Sequence, residues 1–149
     1  MIGAARLHHV AYVVADLDAS LPLFAERYGM VPEIREIMPA QGVEAVMLRA
    51  GDAGVELITP LDPDGAIARF LDTRGEGLHH VAFGVEDITS ALADLAAAGV
   101  ELIDTTPRRG LGGHLVAFVH PRSGAGALTE LVQIEHDGAA MTGRSQHPR

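Results

Sequence analysis

Two short stretches carry the residues whose types and spacing could do chemistry. Leu7-His8-His9-Val10-Ala11-Tyr12-Val13-Val14-Ala15-Asp16 and Leu78-His79-His80-Val81-Ala82-Phe83-Gly84-Val85-Glu86-Asp87 match at seven of ten positions, at a constant offset of 71. Each holds a His-His pair. Acids recur as well. Glu56 lies in Gly54-Val55-Glu56-Leu57-Ile58 and Glu130 in Leu128-Thr129-Glu130-Leu131-Val132, at an offset of 74. A carboxylate inside an apolar strand is costly unless it is paired or holds a metal. Imidazole nitrogen and carboxylate oxygen together suit a divalent ion. A lone strand histidine or glutamate is more often structural. Recurrence of both at equivalent positions favours a four-residue metal set, His9, Glu56, His80 and Glu130, with coordination positions left for water and substrate.

These residues need strands to position them. Leu7 to Val14 alternates as a strand, with His8, Val10, Tyr12 and Val14 on one face and His9, Ala11 and Val13 on the other. The second copy sorts the same way, so the second histidine of each pair is the expected cleft residue. His8 and His79 are then packing residues or partners of the ligands. A helix follows each strand. Asp16 or Asp18 caps the first, whose stripe is Leu17, Leu21, Phe24 and Tyr28 and whose stop is Gly29. Pro22 suits only a first turn, which would move the start toward Ser20. Asp87 caps the second, with stripe Ile88, Leu92 and Leu95 and stop Gly99. Strands are expected at Val31 to Met38, Val43 to Arg49 and Gly54 to Thr59, then at Val100 to Asp104, His114 to His120 and Ala127 to Ile134.

The repeat is read as a duplication. Two βαβββ modules, about 7–61 and about 77–135, are joined by a linking helix at about 64–74, and a tail, 136–149, shows no periodicity and is expected to fray. The fold class is α+β: one domain over 1–149, with two sheets side by side lining a U-shaped trough.

Composition narrows the function. The 149 residues carry a net charge of −9, which argues against non-specific nucleic-acid binding. There is no lysine, so Schiff-base chemistry is excluded, and no cysteine, so thiolate ligands and nucleophiles are excluded. No apolar run reaches the roughly 20 residues that cross a bilayer, and the first residues lack the features of a signal peptide. A cytosolic location is expected. Arg108-Arg109 and Arg122 are candidate partners of an anionic ligand. His114, His120, His136 and His147 read as surface residues, with His120 a weak candidate for substrate contact.

The paired modules resemble the vicinal oxygen chelate superfamily, which includes glyoxalase I and extradiol dioxygenases. Within it, methylmalonyl-CoA epimerases are the most similar. The resemblance rests on Leu7-His8-His9-Val10-Ala11, Pro39-Ala40-Gln41-Gly42-Val43, Val55-Glu56-Leu57-Ile58-Thr59-Pro60-Leu61, Arg74-Gly75-Glu76-Gly77-Leu78-His79-His80-Val81-Ala82-Phe83 and Phe118-Val119-His120-Pro121-Arg122-Ser123, among others between residues 7 and 134. It implies metal ligands at His9, His80 and Glu130, with a Gln-or-Glu position at Glu56. It further implies cobalt as the divalent ion, with zinc, nickel or manganese as substitutes, an acyl-CoA substrate and a homodimer. There is one departure. Some epimerases carry a glutamate, proposed as an acid-base group, where this chain has Ala45; Glu44 is adjacent but on the opposite strand face.

The implied reaction is epimerisation at C2 of methylmalonyl-CoA through a metal-stabilised enolate. Proton delivery to both faces calls for two acid-base groups. Glu130 is the candidate catalytic residue and ligand for one face. Glu56 or a metal-bound water serves the other, with Glu44 a distant third. The Arg108-Arg109 loop and Arg122 are candidates for CoA phosphates. The rivals are a glyoxalase, an iron dioxygenase and a non-catalytic binding protein. A fourth protein ligand disfavours the dioxygenase, and the intact ligand set disfavours the binding protein.

Overall fold

The computed structural model describes residues 5–135; the expected tail, 136–149, with His136 and His147, lies outside the described residues. The chain runs β1 (Arg6–Val13), α1 (Leu17–Pro22), β2 (Val31–Met38), β3 (Val43–Ala50), β4 (Ala53–Pro60), α2 (Ala66–Arg74), β5 (Gly77–Val85), α3 (Ile88–Ala97), β6 (Arg108–Arg109), β7 (Leu115–Val119) and β8 (Thr129–Gln133). The eight strands form one mixed, curled sheet in the order β2-β3-β4-β1-β5-β8-β7-β6. β1 pairs parallel with β4, and β5 with β8. The modules join where β1 and β5 pair antiparallel, Val10 opposite Val81. This is the α+β architecture expected of two βαβββ modules.

Strand alternation divides the sheet into a helix side and a trough side. On β4, Val55 and Leu57 join Leu17, Phe24, Val46 and Leu48 in a buried cluster under α1. Ile58 instead packs with Ala11, Val43, Ala45 and Leu111 on the trough side. In module 2, Leu131 packs with Ile88, Leu92 and Val119 beneath α3, while Ala82, Val116 and Val132 form the trough-side patch. Leu48 and Leu57 are fully buried, and each contributes roughly 2 kcal/mol of apolar burial.

Both helix caps are as read. The Asp16 carboxylate accepts from Ala19 N–H at 3.2 Å, and Asp87 accepts from Ser90 N–H at 3.1 Å. Two details of α1 differ. It begins at Leu17, so Pro22 is its sixth residue, and the chain continues as a wider π turn, Leu23–Arg27. Proline offers no N–H to the carbonyl four residues back, and the ladder widens past that gap. Tyr28 leaves the buried stripe: it is 65% exposed, its ring edge-on to that of Phe24 at 6.1 Å.

The expected strand Val100 to Asp104 does not form. Only Leu102 bridges to Val119. Ile103 and Asp104 both donate their N–H to the Phe118 carbonyl, at 3.0 and 3.1 Å, and the Asp104 carboxylate accepts Phe118 N–H at 2.8 Å. That side chain takes the place of the next ladder bond. Pairing resumes at Arg108 and Arg109, read from sequence as loop, opposite Val116 and Leu115.

Candidate metal centre and the trough around it

Two rows of cross-strand neighbours build the centre. One runs Phe118, Glu130, Ala82, His9 across β7, β8, β5 and β1. The other runs Met47, Glu56, Ala11, His80 across β3, β4, β1 and β5. Each has the pattern Glu-Ala-His. Because β1 and β5 are antiparallel, the rows run in opposite senses, and each module supplies one histidine to one row and one glutamate to the other. The alanine in each row ends at Cβ and is fully buried. The longer flanking side chains can therefore lean over it and meet.

Their tips do meet. His9 Nε2 lies 3.1 Å from His80 Nε2. Glu130 reaches both rings, Oε1 3.5 Å from His9 Nε2 and Oε2 3.5 Å from His80 Nε2. Glu56 Oε1 lies 3.8 Å from His80 Nε2. All four residues are buried, and His9, Glu56 and His80 each offer a ligand atom within 4.8 Å of the others.

Strict alternation would turn His8 and His79 to the helix side. Each instead sits in a β-bulge, with no partner in the β1–β5 register. The bulge brings the side chain round to the trough, where both residues line the cavity. His8 Nδ1 lies 2.7 Å from His9 Nδ1, and His79 Nδ1 lies 2.8 Å from His80 Nδ1. Phe70 of α2 packs edge-on against the His79 ring at 5.2 Å. The outer histidines are thus partners of the inner ones. With each inner Nδ1–H donating outward, both Nε2 lone pairs point at the centre. Partners of this kind fix the tautomer of a ligating histidine.

The residues fit a divalent ion. Donors held about 2.0–2.2 Å from one ion sit roughly 3–3.5 Å from each other, the spacing of the His9, His80 and Glu130 tips, with Glu56 slightly farther out at 3.8 Å from His80 Nε2. Two lone pairs 3.1 Å apart repel unless a cation or a proton lies between them. Electrostatics agree. Burial, then His8, lowers the pKa of His9 to about 3. Burial, then His9 and His79, lowers His80 to about 2. Both rings are therefore neutral, the form that coordinates. Burial pushes the Glu56 carboxyl up to about 7. Burial and the neighbouring Glu56 hold Glu130 well above the usual range, opposed by Arg108. A cation would favour the ionised form of both acids.

Around the centre opens a cavity of about 560 Å³, with walls that include Met38, Val43, Met47, Ile58, Ile67, Leu111 and Phe118. The loop after β6 forms part of the wall. Leu111, from module 2, is buried against Ala11, Ala45 and Ile58 of module 1. The loop is tied down by Gln41 Nε2 donating to the Arg109 carbonyl at 3.2 Å and by Gly112 N–H donating to Glu36 Oε1 at 3.3 Å. Gly112 has φ of 71°, a left-handed conformation natural to glycine.

The other sequence candidates separate. Ala45 is fully buried on the trough face. Glu44 is on the far face, its Oε2 accepting from Arg35 Nε at 3.0 Å, so it is not placed to act on a ligand in the trough. Arg108 lines the cavity, whereas Arg109 and Arg122 are not among its lining residues. His120 does not line it either; its Nδ1 accepts from Arg122 N–H at 3.0 Å. His114, read as a surface residue, is exposed yet forms part of the cavity rim, its ring 6.1 Å from that of His8. Sequence alternation missed His8 and His79 because a bulge leaves no mark on an apolar pattern. Phe118 carried a readable signal, as the cross-strand neighbour of Glu130.

Residues 8–118 match the family model of the glyoxalase/bleomycin resistance protein/dioxygenase superfamily. The chain belongs to this superfamily. Among its relatives, the ethylmalonyl-CoA/methylmalonyl-CoA epimerase of Cereibacter sphaeroides is 35% identical, over 90% of this chain and 100% of that protein. The crystal structure of methylmalonyl-CoA epimerase from Mycobacterium tuberculosis is 36% identical with a TM-score of 0.82, covering 90% of this chain and 91% of that one. A methylmalonyl-CoA epimerase in complex with methylmalonyl-CoA and NH4+ is 34% identical with a TM-score of 0.83, covering 88% and 95%.

Proposed function

We propose that the protein is a metal-dependent epimerase that interconverts the (2R) and (2S) forms of methylmalonyl-CoA. The observation that carries the reading is the convergence of four buried donors, His9, Glu56, His80 and Glu130, in a chain about a third identical to methylmalonyl-CoA epimerases along nearly its whole length. His9, His80, Glu130 and Glu56 would hold the ion, cobalt first, with zinc, nickel or manganese as substitutes. When bound, the ion supplies positive charge to the oxygens of the enolate, a contribution of several kcal/mol.

The chain's own residues perform the proton transfers. The C2–H bond breaks, its electron pair passes to the thioester oxygen, and the proton goes to a carboxylate. Glu130 and Glu56 lie on different strands in opposite rows, and each would serve one face of C2. Glu130 takes the proton on one face, and the Glu56 carboxyl returns one on the other. The apolar walls, with Leu111 over Ala45, restrict access of water to the planar intermediate. A cytosolic homodimer belongs to the same reading. The exposed apolar residues Val31, Ile34 and Ile37 on edge strand β2 support self-association. The chemistry is tested by loading the purified protein with cobalt and following deuterium uptake at C2 of methylmalonyl-CoA in heavy water. Exchange is expected, and its absence would end the epimerase reading.

A further inference from the structure

The trough is apolar for the most part and carries one arginine. Among the described residues, the aspartate, glutamate and arginine side chains lining the cavity are Glu33, Glu56, Glu130 and Arg108. A malonyl-type thioester brings a free carboxylate of its own into this setting, beside two buried carboxyl groups. Arg108 is placed to meet it.

The short strand β6 sets the direction. Arg108 pairs with Val116 and faces the cavity, while Arg109 turns back on its own loop, its Nη1 donating to the Gly113 carbonyl at 2.7 Å. The Arg108 guanidinium lies over the Phe118 ring, 5.4 Å from its centre. Phe118 packs edge-on against His80 at 5.3 Å and is the cross-strand partner of Glu130. Arg108 Nε is 3.6 Å from Asp104 Oδ2, the carboxylate oxygen that also accepts Phe118 N–H. One edge of the guanidinium is therefore held between a ring face and an acid. Its two terminal amino groups have no hydrogen-bond partner among the described residues. Because the side chain is 47% exposed, meeting a ligand costs little further desolvation.

We propose that Arg108, seated on Phe118, binds the free carboxylate of a malonyl-type thioester and so presents C2 to Glu130 and Glu56. This rests on the reading under Proposed function. The planar fork of arginine matches a carboxylate in two parallel hydrogen bonds. The ring beneath fixes the plane of that fork and places the carboxylate on the module 2 side of the donors, which leaves the apolar patch of Ala45, Ile58 and Leu111 for the C2 alkyl group. CoA phosphates, far from C2 in the substrate, are not what Arg108 meets.

The test is a binding ratio. Metal-loaded wild type, Arg108→Met and Arg108→Lys are titrated calorimetrically with malonyl-CoA and with propionyl-CoA, which lacks the free carboxylate. Arg108→Met is expected to weaken malonyl-CoA by roughly 10- to 100-fold, the range for a charged hydrogen-bonded pair, with propionyl-CoA changed less than about twofold. Arg108→Lys restores charge without the fork and should recover part of the loss. Equal weakening of both thioesters, or no change in the ratio, would overturn the proposal. Metal content and thermal unfolding of each variant separate a lost contact from a lost fold, and Arg108→Lys keeps the test decisive if Arg108→Met unfolds. Deuterium exchange stands apart. Wild type that binds malonyl-CoA through Arg108 but exchanges nothing would end the epimerase reading and leave the carboxylate site intact.

Discussion

The two modules are duplicates that have kept one part and changed the other. The Glu-Ala-His rows are equivalent, down to the bulged histidine behind each inner ring. The flanks are not. Module 1 ends its row in Met47, and module 2 in Phe118, which carries Arg108. Module 1 has two eight-residue strands beyond β4. Module 2 reduces its outermost strand to two residues and sends the following loop, with Leu111, onto the floor of module 1. The centre would be constrained from both sides at once, because moving any donor would disturb an ion held by all four. The walls are free to diverge, and they are where the two faces of a substrate can be told apart.

That division can be attacked from the symmetric end first. His9→Ala and His80→Ala should each abolish metal binding and reduce exchange to background, to the same degree, as read by metal analysis and deuterium uptake. A fully metallated, active His9 variant would refute the centre. The acids should then part company. Glu130→Gln is expected to lower exchange by about 10²- to 10⁴-fold, the contribution of a general base, and Glu56→Gln by less, because an amide can still coordinate at that position and Glu130 still exchanges the proton on its own face, although turnover of one epimer into the other is lost. Comparable losses would mean that symmetry extends to the chemistry.

Metal-free protein offers a third contrast. The folded Glu56 carboxyl has a pKa raised from 4.5 to about 7. A raised acid pKa means the folded state holds its proton longer than the unfolded chain, so this group destabilises the fold as pH rises from 4.5 to 7 and costs nothing below 4.5. Glu56→Gln should therefore stabilise the metal-free protein by roughly 3 kcal/mol above pH 7 and leave it unchanged below pH 4.5, by denaturant titration. His9 and His80 act in the opposite sense. Their lowered values cost the fold nothing above pH 6.5 and destabilise it as the pH falls from 6.5 toward 3. Leu111→Ala tests the asymmetric wall and should cost about 2 kcal/mol, the low end for a buried leucine, since its site opens on the cavity. Pro22→Ala comes last. It restores one helical N–H but frees the unfolded chain, and a change under about 1 kcal/mol is expected in Tm-based stability.

The site was more legible than its surroundings. His9, His80, Glu56 and Glu130 could be picked out because the duplication printed each type twice, and because strand parity depends on residue number alone. Parity then failed at His8 and His79, where an extra residue in the ladder reverses the face without altering the apolar pattern. It placed Ala45 in the trough and Glu44 outside it. The strand read at Val100 to Asp104 was lost to a side chain: Asp104 competes with the backbone for Phe118 N–H, and local pattern does not reveal which acceptor wins. Arg108 and Leu111 lay in a stretch whose glycines and arginines read as plain loop. Their roles come from contacts across the molecule.

The register joining the modules has a consequence for how such a site can arise. Val10 faces Val81, Ala11 faces His80, and His9 faces Ala82, so the pseudo-twofold axis passes between the two valines. A chain half as long would present an edge complementary to itself, and two copies could bring together the same four donors in an isologous pair. Covalent joining through α2 makes that encounter intramolecular. Two tethered halves need no longer be identical in order to find each other.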